Sequence, residues 1–195
     1  VGEHNEMRLQ FSGWKDALDM AWEKGESVAF TCAYAGNLRN IAKTLRQLEE
    51  ISGSSKIEIA HEMEDLLAGS VELYEDAARK QALLAGYAKK CEHNISGDTI
   101  VVRLDQLAAN LEEKADWMMK NIRANEWVKD GEDGWFNGYY DNHGRKVEGV
   151  MDESVRMMLT GQVFAIMSGT ATEDQVESIC RSADKYLYDQ KAGGY

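Results

Sequence analysis

From Glu26 to about Ile51, large apolar residues recur at intervals of three and four. Phe30, Tyr34, Leu38, Ile41, Leu45 and Leu48 form a broad stripe, flanked by a small-residue side of Ala29, Ala33, Gly36, Asn37 and Asn40. That period predicts a helix. Gly53 in "ISGSSK" ends it, and "SSKIE" reads as a fresh N-cap with a carboxylate in the first turn. A second helical tract is expected from Lys56 to about Cys91, carried by Ile59, Met63, Leu66 and Leu67, then Leu73, Ala77, Leu83, Leu84 and Tyr87. Gly69-Ser70 is a candidate break within it. The turn "HNISGDT" precedes a short β-branched run, Thr99 to Val102, read as an extended link. A third helix is expected from Leu104 to Trp127, with Leu104, Leu107, Leu111, Ala115, Met118, Met119 and Ile122 on one face.

The texture then changes. "DGEDGWFNGYYDNHGRKVEGV" is rich in Gly, Asn, Asp and aromatics. Trp135, Phe136, Tyr139 and Tyr140 flank turn signals at Asp133-Gly134 and Asn142-His143-Gly144, which suits a short hairpin or an ordered irregular loop. Helix returns from about Val155 to Ser168 and is closed by Gly169. Thr172 opens a last helix to about Gln190, with Glu173 and Asp174 placed to favour its dipole. Met157, Met158 and Met167 read as core. Residues 1–25 are loop-like, and no repeat of fixed period is seen. Helices in succession give an all-α class, arranged as a single bundle or as a larger toroid of paired helices.

Composition narrows the partners. A chain of 195 residues supports one domain with a real core. A net charge of -12 argues against nucleic acid and against an anionic membrane surface. No apolar run reaches the roughly 18 residues of a membrane span, and no basic-then-apolar leader pattern opens the sequence. Cys32, Cys91 and Cys180 are odd in number and widely spaced, against a disulfide framework or a zinc site. A cytoplasmic setting is therefore expected. Proline is absent, which is compatible with long helices. His4, His61, His93 and His143 lack metal-ligand spacing, and there is no phosphate-binding glycine loop or serine nucleophile elbow.

Three stretches could carry chemistry, and each also has a plainer reading. Trp14 and Asp16 could stack on a pyranose and protonate a glycosidic oxygen, or be a core aromatic beside a surface acid. Gly25-Glu26-Ser27-Val28 could shape a pocket, or simply start a helix. The aromatics between Gly134 and Asp141 could line a sugar cleft, or pin a loop onto helices.

Taken in order, "GWKDALD", "KGESVAF", "DGWFNGYYDNHGRKVEG" and "MLTGQVFAIMSGTA" resemble the catalytic domain of the glycoside hydrolase family 94 phosphorylases. The resemblance runs from about Phe11 to Tyr195, with only helical character in common between about Ile51 and Ala115. It implies that residues 1–195 form the central, incomplete part of an (α/α)6 barrel bearing a short β-hairpin or irregular aromatic loop. It implies inverting phosphorolysis of β-linked gluco-oligosaccharides to α-glucose 1-phosphate, with inorganic phosphate as co-substrate and no cofactor or metal. Asp16 would be the general acid and Trp14 would shape the donor subsite. Lys15, Glu26 and Gln162 would bind substrate. Lys15 stands where the family usually has Asn and Gly13 where it has an acid, which points away from the cellobiose enzymes. Thr160 stands where the disaccharide enzymes have Glu, which favours a different acceptor, and "NGYYDNHGRKVEG" with "LTGQVF" most resembles the 1,2-β-oligoglucan branch.

The family's phosphate-binding His and Thr-Gly fall after the last residues given. The chain alone is therefore expected to be inactive, and to partner the remaining segments of the barrel or a second copy. The alternatives are a hydrolase on a related helical barrel, with Asp141 or Glu148 as base roughly 6.5–9.5 Å from the acid, and a non-catalytic helical carbohydrate-binding module.

Overall fold

A computed structural model of the chain describes residues 1–9, 19–67, 69, 71–151 and 154–195. Its frame is a pair of long helices. The first, α1 (Val28–Ser52), follows two short strands, β1 (Met7–Arg8) and β2 (Glu26–Ser27). It starts where Ser27 caps it, the Ser27 hydroxyl accepting from Phe30 N at 3.1 Å. Gly53 ends it at φ 66°, in the left-handed region that favours glycine.

The expected helix from Lys56 does not begin there. Lys56–Ala60 is a strand, β3, paired antiparallel with β4 (Thr99–Arg103); Ile57 faces Val102 and Ile59 faces Ile100. The alternation of Lys, Ile, Glu and Ile fits a half-buried strand once a partner supplies the hydrogen bonds. That partner lies some forty residues away in sequence, so a local period could not reveal it. Helix resumes in pieces between them: α2 (Glu64–Leu67), α3 (Val71–Glu75) and α4 (Ala77–Lys90), the last capped by Asp76.

The second long helix, α5 (Leu104–Asn125), lies antiparallel against α1. Leu104 and Ala108 pack with Ala42 and Leu45, while Ile122 packs with Val28 and Cys32. Arg46 and Arg39 bridge to Glu112 and Asp116 across the edge of the seam. The buried face of α1 is its small side, with Cys32, Ala35, Gly36 and Ala42. The stripe of large residues is partly outside: Tyr34 is 54% exposed and Ile41 50%. The reason is close approach. Small side chains let two helices near α1 at once, and a Cβ on Gly36 would meet Ser168 Cα at 3.0 Å.

After α5 the chain forms β5 (Trp127–Asp130), β6 (Asp133–Phe136), β7 (Tyr139–Tyr140), β8 (Gly149–Met151) and β9 (Ser154–Arg156). Trp127, expected to end a helix, instead opens β5 and packs edge-on against Phe136 at 4.8 Å. The aromatic stretch is thus several small pieces rather than one hairpin. β5 pairs with β6 and β8 with β9, while β7 joins β2 and β1 in a three-stranded sheet, the largest among the described residues. Helices α6 (Leu159–Met167) and α7 (Glu173–Tyr186) close the chain, α7 with a full capping box between Thr172 and Gln175.

The main core gathers Val28, Ile122, Trp135, Phe136, Met157, Ala165 and Ile179 from α1, α5, β6, α6, α7 and the segment before α6. Met157 is in it, but Met167 is 76% exposed, because α6 turns that face outward. The described structure is therefore mostly helical with small sheets. Among the described residues no helix is long and apolar enough to cross a membrane.

Candidate functional site

The start of α1 anchors a continuous buried polar network. Its first N–H groups need acceptors. Gly138 O takes two of them, from Val28 N at 2.9 Å and Ala29 N at 3.3 Å. Gly138 can approach because it has no side chain: a Cβ there would lie 2.6 Å from Glu148 Oε1. The turn before β2 is fixed by Asn142, whose side-chain oxygen accepts from Glu23 N and Lys24 N at 2.8 Å each.

Glu26 is buried on β2. Its carboxylate accepts from His4 N and Glu6 N and from the His4 ring, Nδ1 lying 2.8 Å from Oε1. The His4 ring stacks on Tyr140, with centroids 3.7 Å apart and planes 9° from parallel. The Tyr140 hydroxyl donates to Glu126 Oε1 at 2.7 Å, and Asn137 Nδ2 donates to Glu126 Oε2 at 3.0 Å. Lys146 lies 3.4 Å from the same carboxylate. Burial, then the neighbouring Glu126, raise the Tyr140 hydroxyl far above its ordinary pKa, so it stays a donor.

The network continues inward. Asn137 Oδ1 accepts from Glu148 N at 3.3 Å. The Glu148 carboxyl accepts from Gly138 N and Met158 N, both at 2.8 Å, and weakly from Gln162 Nε2. Burial nevertheless pushes Glu148 up to about 8. Glu6, fully buried and next to Thr31, is also pushed up to about 8, chiefly by burial. The Thr31 hydroxyl donates to Ser27 O, and neither Glu6 oxygen has a hydrogen-bond partner among the described residues.

A polar recess of about 420 Å³ opens over this network, walled by Glu3, His4, Asn121, Asn125, Glu126 and Tyr140. It combines an aromatic stack with amides and carboxylates, the chemistry that receives hydroxyl-rich ligands. Among the described residues no group of three His, Cys, Asp or Glu side chains is placed to hold a metal ion.

The residues singled out from sequence fall differently. Trp14, Lys15 and Asp16 lie outside the described residues. Nearby, Leu9 N donates to Gly25 O, and Leu9 packs with Ala21, Ala29 and Tyr139. Glu26 and Gln162 are both buried, at opposite ends of the network just traced. Gln162 Oε1 accepts from Phe136 N and its Nε2 donates to Phe136 O, each at 2.8 Å. Asp141 is engaged too: its carboxylate accepts from His143 N, Arg145 N and the Arg145 guanidinium. Its pKa falls because those bonds outweigh the burial that raises it. Sequence reading gave no role to His4, Glu6, Glu126 or Asn137. The available signal was a carboxylate set among apolar and aromatic neighbours, as Glu126 is next to Trp127.

Residues 101–194 match the family model for the catalytic domain of the Glycosyl hydrolase 94 superfamily. The matched stretch holds the end of β4, α5, β5 to β9, α6 and α7, and with them Asn121, Asn125, Glu126 and Tyr140 of the recess. His4 and Glu26 lie before it. The match covers slightly under half of the chain and supports kinship with that superfamily's enzymes, which act on glycosidic bonds. No curated protein matches the chain.

Proposed function

We propose that the protein belongs to the catalytic domain of a glycoside phosphorylase that cleaves β-linked gluco-oligosaccharides, with β-1,2-linked glucans as its substrates. The family match over residues 101–194 supports a glycoside phosphorylase in general, the recess beside Tyr140 suits a hydroxyl-rich ligand, and the β-1,2 linkage rests on the sequence resemblance. Asp16 protonates the departing glycosidic oxygen, which keeps the electron pair of the broken bond. Phosphate attacks the anomeric carbon from the opposite face. One displacement inverts the centre, so a β-glucoside gives α-glucose 1-phosphate. Trp14 stacks on the donor sugar, while Lys15, Glu26 and Gln162 shape and support the substrate subsites.

The state of the two carboxylates considered as a hydrolytic base favours phosphorolysis over hydrolysis. Asp141 is saturated by its own turn and Arg145. Glu148 is buried against two backbone N–H groups. Neither is free to activate a water. The test is cleavage of β-1,2-gluco-oligosaccharides by the intact catalytic domain with and without inorganic phosphate. Phosphate-dependent release of α-glucose 1-phosphate is expected. Free glucose formed equally fast without phosphate would establish hydrolysis instead.

A further inference from the structure

A second cavity, of about 210 Å³, lies among α1, α2, α3, α4 and α5, with Val1, Asn5 and Met7 completing its wall. Its lining is mostly aliphatic and aromatic, with Leu38, Leu66, Leu73, Leu83, Trp117 and Met118. Two lysines enter this apolar space. Lys80 Nζ sits 4.4 Å from the Trp117 ring centroid and donates to Asn5 Oδ1. Lys114 Nζ donates to Leu66 O at 2.9 Å and to the Asn110 side chain. Neither forms an ion pair with a carboxylate among the described residues. A third polar group, the Tyr74 hydroxyl, is buried on the same wall with no hydrogen-bond partner among the described residues.

This is an unusual place for two amines. Burying a cation without an anion is costly, and a hydroxyl left unpaired adds to that cost. Burial pulls Lys80 down to about 8, which still leaves it charged at neutral pH, and lowers Lys114 as well. Glu6 interacts electrostatically with Lys80, and burial pushes it up to about 8. The cavity thus presents positive charge and a spare donor at one side of an apolar chamber. An apolar cavity of roughly 150 Å³ is large enough to hold benzene. The present one has room for such a body with a small head group.

We infer that this cavity is a binding site for a small amphipathic monocarboxylate, its apolar body lying against Trp117 and the leucines and its carboxylate meeting Lys80, Lys114 and Tyr74. The site is distinct from the polar recess, although Asn5 lines both.

The experiment uses phenylacetate and its neutral counterpart 2-phenylethanol as probes, titrated into the whole chain by calorimetry. Phenylacetate is expected to bind saturably, and about tenfold or more tightly than the alcohol, the factor one charge-assisted hydrogen bond supplies. Lys80→Met keeps the aliphatic stem and is expected to weaken phenylacetate more than the alcohol, narrowing that preference. Equal binding of acid and alcohol by the unaltered protein overturns the inference, as does the absence of saturable binding by either. If Lys80→Met does not fold, the comparison in the unaltered protein decides alone.

Discussion

Gln162 holds Phe136 by both ends of its amide, accepting from Phe136 N and donating to Phe136 O at 2.8 Å each. The side chain does for the end of β6 what a neighbouring strand would do. It ties α6 to β6 inside the main core, next to Glu148. Gln162→Ala removes both bonds and leaves a buried N–H and C=O unpaired. Losing such bonds costs on the order of 2–4 kcal/mol in total. Urea unfolding followed by far-UV circular dichroism should show a midpoint lowered accordingly. An unchanged midpoint would mean that the clamp carries no stability.

Tyr140 and Glu126 meet in the wall of the recess. Tyr140→Phe keeps the stack on His4 and removes the donor at 2.7 Å. The buried carboxylate keeps Asn137 and Lys146, so a loss of about 1–3 kcal/mol is expected rather than unfolding. A double-mutant cycle with Glu126→Gln measures the coupling; additive effects would show that the two groups do not interact.

Thr172 is a helix cap legible at sight, and it caps in full, with Gln175 returning the bond. Thr172→Ala should cost about 1 kcal/mol. Thermal unfolding is the check, and Thr172→Ser should recover most of the loss.

Stability should also depend on pH in a defined direction. Glu6 and Glu148 have folded pKa values raised from 4.5 to about 8. The folded protein then holds protons that the unfolded chain releases above about 4.5. Their contribution to stability is largest below that value, falls as pH rises toward about 8, and levels beyond it. Glu62 acts at the acid end. The Ser96 backbone N–H holds it down to about 2, so its contribution disappears as pH falls from about 4.5 toward 2. Glu6→Gln should flatten the decline between pH 5 and 8 in denaturant titrations run across that range. A decline of the same steepness would assign it to other groups.

The proposed acid is tested by Asp16→Asn, which keeps shape and removes the proton. A general acid contributes about 10²–10⁴-fold, so phosphorolysis of a natural glucan by the intact domain should fall by that order. Trp14→Ala should mainly weaken sugar binding, by on the order of 1 kcal/mol. Turnover near the original rate in Asp16→Asn would place the proton donor elsewhere.

Local chemistry was enough to mark the helix boundaries set by side-chain caps. Thr172 opens α7, and the backbone freedom of Gly53 ends α1; the start of α1, read at Glu26, falls one residue later at the Ser27 cap because Glu26 pairs in β2. The Thr172 and Gly53 signals act within one turn of the chain, so the sequence alone carries them. The period of α5 was equally plain, because its apolar face is buried along most of its length. Tertiary structure decided what depends on distant partners. Ile57 and Ile59 become a strand only because Val102 and Ile100 lie opposite. Ala35 and Ala42 are buried while Ile41 is half exposed, because helix packing follows close approach rather than side-chain size. The same holds for the polar network beneath the recess. His4, Glu26, Tyr140 and Glu126 are scattered over more than a hundred residues. What joins them is the pairing of β2 with β7 and the antiparallel seating of α5 on α1. A hydrogen bond needs its two atoms about 3 Å apart, and between residues so far separated in the chain only the folded arrangement sets that distance.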